Sequence, residues 1–465
     1  MKKRCIWFFL SVCVVFPLPA FASGEGHVPA GPPGGGDLSG IKTLDLDTAK
    51  RIAVAENPSM AAARARVEQA GQRVRQAEAA FYPRVDASGS ASHVGLSDSE
   101  QESQQQIARL FDPRARIDTT EETYAAGLTA SWTLFDGFAR KFVREAERFG
   151  EMQQMEARDE VRRLLLSSVS TTFHNAQLAM ENMTIARADE TFNQRQVADA
   201  EVRLQVGTGA LSDVLNFKVQ ANAARSRLNQ SMLAFRRLLV GLAALMGIAD
   251  AGLPEGLSLT PLSPEIDAEM GMPDAGALIH EALTHRPDFQ QSGFRIKQAE
   301  SQIQLARSDF FPKLNLFADL NGQRNNSIKF EDDDFGYAVG VNMSYPLFTG
   351  GARQARVHEA AWARAEAQKV NATLSITVAS EVRQAIEEIT RAQTELKLQR
   401  ANTALVEQNR DLVEKEYAAG QGTLVRLNEA QRDLVTAQSR LALALVSLRQ
   451  AWQTLETATG RIMEF

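Results

Sequence analysis

The folded part of this chain is written twice. Leu134-Phe135-Asp136-Gly137-Phe138-Ala139-Arg140 returns as Leu347-Phe348-Thr349-Gly350-Gly351-Ala352-Arg353, displaced by 213 positions. The same displacement carries Gly207 to Gly420 and Leu211 to Leu424. Earlier in each half, Pro58 stands 25 residues before the proline of Phe81-Tyr82-Pro83, and Pro287 stands 25 before that of Phe310-Phe311-Pro312. Gln69-Ala70 and Gln298-Ala299 fall at matching places between these marks. Each half therefore keeps 72 residues between its Phe-x-Gly motif and its next glycine punctuation. Loops drift in length between copies and rigid helices do not, so a rigid element sets this interval.

Its composition says which element. From Arg140 to Val206 and from Arg353 to Ala419 there is no proline and almost no glycine, while Ala, Glu, Gln, Arg and Leu dominate. Each stretch reads as one nearly continuous helix, about 100 Å long at 1.5 Å per residue. After Gly207-Thr208-Gly209 the apolar residues Val214, Phe217, Ala221, Ala224, Leu228, Ser231, Phe235, Leu238 and Leu242 alternate spacings of three and four. Leu427, Ala430, Leu434, Ala437, Leu441, Ala444 and Leu448 repeat that seam after Gly420-Gln421-Gly422. A 3.5-residue seam rich in alanine lets a returning helix approach an outgoing one closely. The reading is two long helical hairpins, with the glycines at their far turns.

Between the Phe-x-Pro and Phe-x-Gly motifs the period falls to two. Tyr124, Ala126, Leu128, Ala130, Trp132 and Leu134 alternate with small or polar residues, as do Tyr337, Val339, Val341, Met343 and Tyr345. Leu314, Leu316, Ala318 and Leu320 alternate in the same way, and Val85, Ala87, Gly89 and Ala91 more weakly. This predicts four strands with one face for lipid and one for a wet lumen, of a length that crosses a bilayer. Four strands leave edges that lipid cannot satisfy, and a closed transmembrane barrel needs about eight or more. The chain is therefore expected to oligomerise; two copies supply eight strands and three supply twelve, and counting alone does not choose. The strand tips read as polar loops, residues 96–122 rich in Gln and the second carrying Glu331-Asp332-Asp333-Asp334, where a calcium site is the minor alternative to a solvated loop.

The N-terminus bears on location. Lys2-Lys3-Arg4, an apolar run from Ile6 to about Ala20 and Ala20-Phe21-Ala22 make a secretory signal with an A-x-A site. Leu10-Ser11-Val12-Cys13 is a poor lipoprotein site, since Val12 stands where a small residue belongs. Cleavage after Ala22 removes both cysteines, Cys5 and Cys13, which excludes disulfides and thiolate chemistry downstream. It also leaves 48 basic residues against 57 acidic ones, a balance of −9 that argues against nucleic acid as a partner. The expected organisation is signal peptide 1–22, flexible Gly/Pro-rich leader 23–40, first repeat 41–248, linker 249–275 and second repeat 276–465. No P-loop, dinucleotide fingerprint, nucleophile elbow or i, i+4 histidine pair is present, so neither an enzyme nor a cofactor or metal site is expected.

Taken with the repeat, the two Phe-Pro helix ends, Leu134-Phe135-Asp136-Gly137 with Leu347-Phe348-Thr349-Gly350-Gly351, and the tips Arg203-Leu204-Gln205-Val206-Gly207 and Glu416-Tyr417-Ala418-Ala419-Gly420 resemble the TolC-like outer-membrane efflux duct family over nearly all of residues 42–461. The resemblance implies a mainly α fold with a β-barrel portion. Duplicated helical hairpins would build a trimeric periplasmic α-barrel, and four strands per chain would enter a shared 12-stranded outer-membrane β-barrel. It further implies a homotrimeric passive exit duct in outer-membrane lipid, docked through a periplasmic adaptor protein to an inner-membrane pump. Leu204, Val206, Gly207, Thr208, Tyr417, Ala419, Gly420 and Gln421 are then the expected adaptor contact. Asp213 stands where the family also has an acid. Where the family pattern often places two aspartates around the closed aperture, this chain has Arg426 and Glu429. The expectation drawn from that departure is that Arg426 pairs with Asp213 or Glu429 and holds the aperture shut, the alternative being a surface arginine that faces the adaptor. The competing readings are a periplasmic coiled-coil adaptor, which needs one hairpin and an inner-membrane anchor, and a trimeric surface adhesin, which needs a C-terminal barrel. The cargo of such a wide duct is not legible in the sequence.

Overall fold

The computed structural model describes residues 42–111, 120–254, 256–264 and 267–464. The signal peptide and the Gly/Pro-rich leader lie outside these residues. The two repeats share the same order of main helices and strands, with paired helices of nearly equal length. In the first, β1 (Thr43–Leu44) and α1 (Leu46–Glu56) lead into α2 (Pro58–Ala79), β2 (Arg84–Gly95), α3 (Asp98–Phe111), β3 (Thr120–Phe135), α4 (Ala139–Gln205) and α5 (Leu211–Leu245). After β4 (Ser258–Leu259) the second runs α6 (Ala275–His285), α7 (Pro287–Ser308), β5 (Lys313–Asn325), β6 (Phe335–Ser344), α8 (Ala352–Ala418) and α9 (Leu424–Thr459). Helices α4 and α8 have 67 residues each, α2 and α7 22 each, and α1 and α6 11 each. No described helix is long and apolar enough to cross a membrane.

Local chemistry starts and stops these helices where the sequence marks them. Proline occupies the first position of α2 and α7, where its missing N–H costs nothing. Asp45, Asn57, Asp274 and Thr423 cap the helices that follow them with side-chain oxygens. The entry to α4 is strained: Phe138 holds φ +68°, whereas its counterpart Gly351 takes φ +85° without a Cβ to crowd. The Phe138 ring is fastened edge-on to Phe135 at 5.5 Å.

The strands form one antiparallel sheet in the order β2-β3-β5-β6. β2 pairs with β3 from Arg84↔Ser131 to Gly95↔Thr120, and β5 pairs with β6 from Lys313↔Ser344 to Gly322↔Phe335. β3 pairs with β5 through Ser131↔Phe317 and Leu128↔Leu320. Among the described residues, strands β2 and β6 have no strand neighbour on their outer sides, and every residue of β2 is exposed. The sheet has almost no buried side chain of its own.

The core lies along the hairpins. One cluster, with Leu44, Phe173, Leu242, Met246 and Leu259 at its centre, joins α1, α4, α5 and β4. A second, including Ala282, Val382, Ile389, Leu396 and Leu448, joins α6, α8 and α9. A third, at the far turns, holds Val214, Phe217, Val413 and Leu427. Segment 249–275 wraps this middle region: β4 pairs with β1 in parallel, Gln393 Nε2 donates to the carbonyls of Glu269 and Gly271 at 3.0 Å, and Trp452 Nε1 donates to Glu269 at 3.0 Å.

The loop between β2 and β3 differs from the expected polar coil, because α3 occupies residues 98–111. Ser97 and Glu100 form a reciprocal cap, with the Glu100 carboxylate accepting from the Ser97 N–H at 3.2 Å and from its hydroxyl at 2.8 Å. Ser-x-x-Glu was a readable start signal at this point.

Candidate functional site

The two hairpin ends are built alike. In the first, the N–H of Gly207 donates to Leu204 O at 3.1 Å and that of Thr208 to Arg203 O at 2.9 Å. In the second, Gly420 donates to Tyr417 O at 3.1 Å and Gln421 to Glu416 O at 2.9 Å. This is the paired closure of a helix that ends on a left-handed residue. Gly207 and Gly420 hold φ +76° and +77°, a conformation that costs another residue roughly 1–2 kcal/mol. The turns leave Leu204, Val206, Gly207, Thr208, Ala419, Gly420 and Gln421 exposed at one end of the molecule.

Tyr417 differs from these neighbours. Its ring is half-buried, edge-on to Phe217 at 6.0 Å, and capped by the Arg203 guanidinium at 5.2 Å. Burial, reinforced by the Asp213 carboxylate, pushes its phenol above the ordinary tyrosine value. Tyr417 therefore ties the end of α8 to α5 and to α4 rather than standing out from the tip.

The charged trio is arranged otherwise than expected. Arg426 Nη1 lies 3.3 Å from Glu416 Oε2, across its own turn, and pairs with neither Asp213 nor Glu429. The turn decides this. Thr423 caps α9 and accepts from the Arg426 N–H at 3.4 Å, which starts the helix so that the arginine faces the end of α8. Asp213 sits in the first turn of α5, where its charge suits the helix N-terminus, and touches the Ser212 hydroxyl at 3.4 Å. Glu429 is exposed on α9.

Above the tips, a buried carboxylate that the sequence did not single out joins the two hairpins. Asp189 of α4, 2% exposed, accepts from Arg227 of α5 at 2.6 Å and from Gln431 of α9 at 3.0 Å. Asn428 Nδ2 also reaches Asn216 Oδ1 at 2.9 Å. In the middle region the buried Arg286 pairs with the half-buried Asp288 and the exposed Glu381. Burial opposes the arginine charge, and the two carboxylates more than offset that, so its pKa rises. Nothing in local sequence marks these residues, because their partners lie up to 242 positions away.

At the opposite end of the sheet, Arg324 occupies the acidic loop. It bonds Glu331 at 2.9 Å and Asp334 at 3.0 Å, so two of the four carboxylates considered for calcium are engaged by a cation of the chain itself. Among the described residues no group of three or more His, Cys, Asp or Glu is placed to hold a metal ion.

Comparison with known proteins agrees with this architecture. The family model described as outer membrane efflux protein matches residues 51–248 and 278–461. The chain is 26% identical over 434 residues to Protein CyaE of Bordetella pertussis, covering 92% of this chain and 85% of the relative. It is 25% identical to the pyoverdine export outer membrane protein OpmQ of Pseudomonas aeruginosa, covering 88% and 82%. Among solved structures, the outer membrane protein VceC of Vibrio cholerae superposes with TM-score 0.70 at 19% identity, covering 89% of this chain and 96% of that one. The CusC structure does so with TM-score 0.73 at 20% identity, covering 90% and 93%. Four lipid-suited strands joined to duplicated 67-residue helices, matched by the family model over both repeats, place the protein in the outer membrane with a long periplasmic extension. The chain belongs to the outer membrane efflux protein family.

Proposed function

We propose that three copies of this outer-membrane exit duct complete one conduit. The observation that carries this is the four-stranded sheet whose outer strands both lack a partner strand among the described residues. Lipid cannot satisfy those edges, so other copies must. Two copies would make an eight-stranded barrel, whose interior side chains fill, whereas twelve strands leave a lumen. The helices support the same reading: Leu398, Leu405 and Leu412 of α8 repeat every seven residues and are exposed in the single chain, as are Leu211, Leu215 and Val219 of α5. These are the apolar seams of helices that pack against neighbouring copies. Repeats 41–248 and 276–465 each supply one hairpin to the wall, and segment 249–275 forms a belt around it.

The exposed turn residues Leu204, Val206, Gly207, Thr208, Ala419, Gly420 and Gln421 form the docking surface for a periplasmic adaptor, which connects the duct to an inner-membrane pump. Tyr417 supports that surface from beneath. Asp213, Arg426 and Glu429 line the aperture, with Arg426 held to its own chain by Glu416. The duct carries out no reaction, and the pump selects the cargo.

Conductance in planar bilayers, together with mass in the same detergent, tests this reading. Channels from a species three times the chain mass are expected, and Arg426→Ala is expected to raise basal conductance by loosening the aperture. Unchanged conductance would remove Arg426 from the gate. A monomer that never conducts would overturn the duct itself.

A further inference from the structure

We infer that a cleft in the middle region, between α1, α4 and α9, binds a small primary amine, whose ammonium group donates to His174 Nε2 and pairs with Asp47 and Glu456. The site is separate from the tips and from the strands, and it is built by one chain.

A buried imidazole is where the chemistry starts, because a histidine away from water needs partners for both ring nitrogens. His174 of α4 is 6% exposed. Gln177, one turn further along α4, donates from Nε2 to Thr260 O at 2.8 Å. That bond orients the amide, so the atom 3.0 Å from His174 Nδ1 is the Gln177 Oε1, which can only accept. Nδ1 therefore carries the proton, and Nε2 is left with a lone pair. Among the described residues no donor reaches that nitrogen, and it is not one of the unpartnered atoms sealed from solvent. Burial, with Arg449 and Lys50 nearby, holds the ring below the ordinary histidine pKa, so near neutral pH the lone pair stays free of a proton.

The ring borders a cleft of about 550 Å³, a volume that suits a small molecule. Asp45, Asp47, Glu269 and Glu456 line it against the cation of Arg449. That cation is already engaged: Arg449 donates to Ser263 O at 2.8 Å and to Pro264 O at 3.3 Å, and lies 3.8 Å from Glu269. Asp45 is engaged as well, accepting from the Thr48 N–H at 2.6 Å as the cap of α1. Asp47 and Glu456 are then the carboxylates turned to a ligand. Burial raises the Glu456 pKa despite Lys50, which borders the adjoining cleft, and a cation in this one would relieve that cost.

The rest of the wall narrows the ligand. Leu46 and Trp452 are its apolar part, and the indole is fixed by donating from Nε1 to Glu269 O at 3.0 Å. An aromatic wall beside carboxylates favours a cation with an apolar stem. The acceptor on His174 adds a demand for N–H donors, which a primary ammonium has and a quaternary one lacks. A metal ion suits the cleft less well, since among the described residues no group of three or more His, Cys, Asp or Glu is placed to hold one.

Calorimetric titration of the full-length protein in detergent with 1,4-diaminobutane tests this. Saturable binding is expected, weakened roughly tenfold or more by Asp47→Asn and by His174→Leu, since each removes an acceptor from a charged donor. Asp47 is exposed, so its variant keeps the test open should the change at His174 impair folding. The fully N-methylated diamine has the same charges and stem without an N–H, and should bind the unaltered protein roughly tenfold more weakly or worse. Absence of saturable diamine binding overturns the site. Equal binding of the methylated analogue, or binding that neither substitution weakens, also overturns it and reduces the effect to general attraction toward an acidic surface.

Discussion

The helical hairpins and the strand sheet are two regions of one chain that differ in where their stability comes from. Along the hairpins, Phe173, Phe217, Leu242, Ile389, Leu396 and Leu448 are fully buried by neighbours in the same chain. In the sheet, Tyr337, Val339, Val341 and Met343 of β6 stay exposed, as does every residue of β2. Hydrophobic burial thus holds the hairpins within one chain, whereas the sheet buries almost nothing within it and leaves its apolar face to lipid and to the proposed self-association. On the proposed reading, the β region carries the assembly and the α region the fold.

Three measurements bear on that contrast. The largest effect is expected from Phe217→Ala, which empties the centre of the tip cluster. It should cost about 3–5 kcal/mol in denaturant-induced loss of helical signal from the dispersed chain. A change below about 1 kcal/mol would mean that the tips owe their order to other copies, as the sheet does. Next comes Val339→Arg, midway along the lipid face of β6. It should leave that helical transition in place while weakening insertion into bilayers by about 2–4 kcal/mol, read by folding into vesicles. An equal shift in both measurements would show that the two regions are not separable.

The smallest effect is a pH dependence in the middle region. His174 is buried, and burial depresses its pKa, with Arg449 and Lys50 adding to this against a bond to Gln177 at 3.0 Å. A depressed folded pKa means that the unfolded chain takes the proton more readily. The contribution to stability is full above the unfolded value of about 6.5 and is lost as pH falls from there toward the depressed folded value. Hairpin stability should decline over that window, and His174→Gln should flatten the slope. A slope unchanged by the substitution would place the acid sensitivity elsewhere.

Particular residues show how far the sequence could be read. Gly207 and Gly420 announced turns, and both turned out left-handed for the steric reason that glycine alone meets cheaply. The seam from Val214 to Leu242 announced a buried face, and Val214, Phe217, Ala224, Leu228 and Leu242 lie within it. Helix α3 was expected as a polar loop from its glutamine-rich composition, and the Ser97–Glu100 cap is the signal that could have found it. Arg426 shows the opposite case. Its spacing suggested Asp213 or Glu429 as partners, and the path of the turn after Gly420 gave it Glu416 instead.

The duplication, the two periods of 3.5 and 2 and the lengths of the long helices were already present in the sequence. These follow from local propensity and from counting, which act within a few residues or within one strand. Only the tertiary structure decided that Asp189 joins Arg227 to Gln431, that Tyr417 turns inward onto Phe217, and that β3 meets β5 in one register. Those outcomes depend on groups brought together from hundreds of positions apart. Their energies arise from burial and hydrogen-bond geometry, which no stretch of sequence contains until the hairpins have packed.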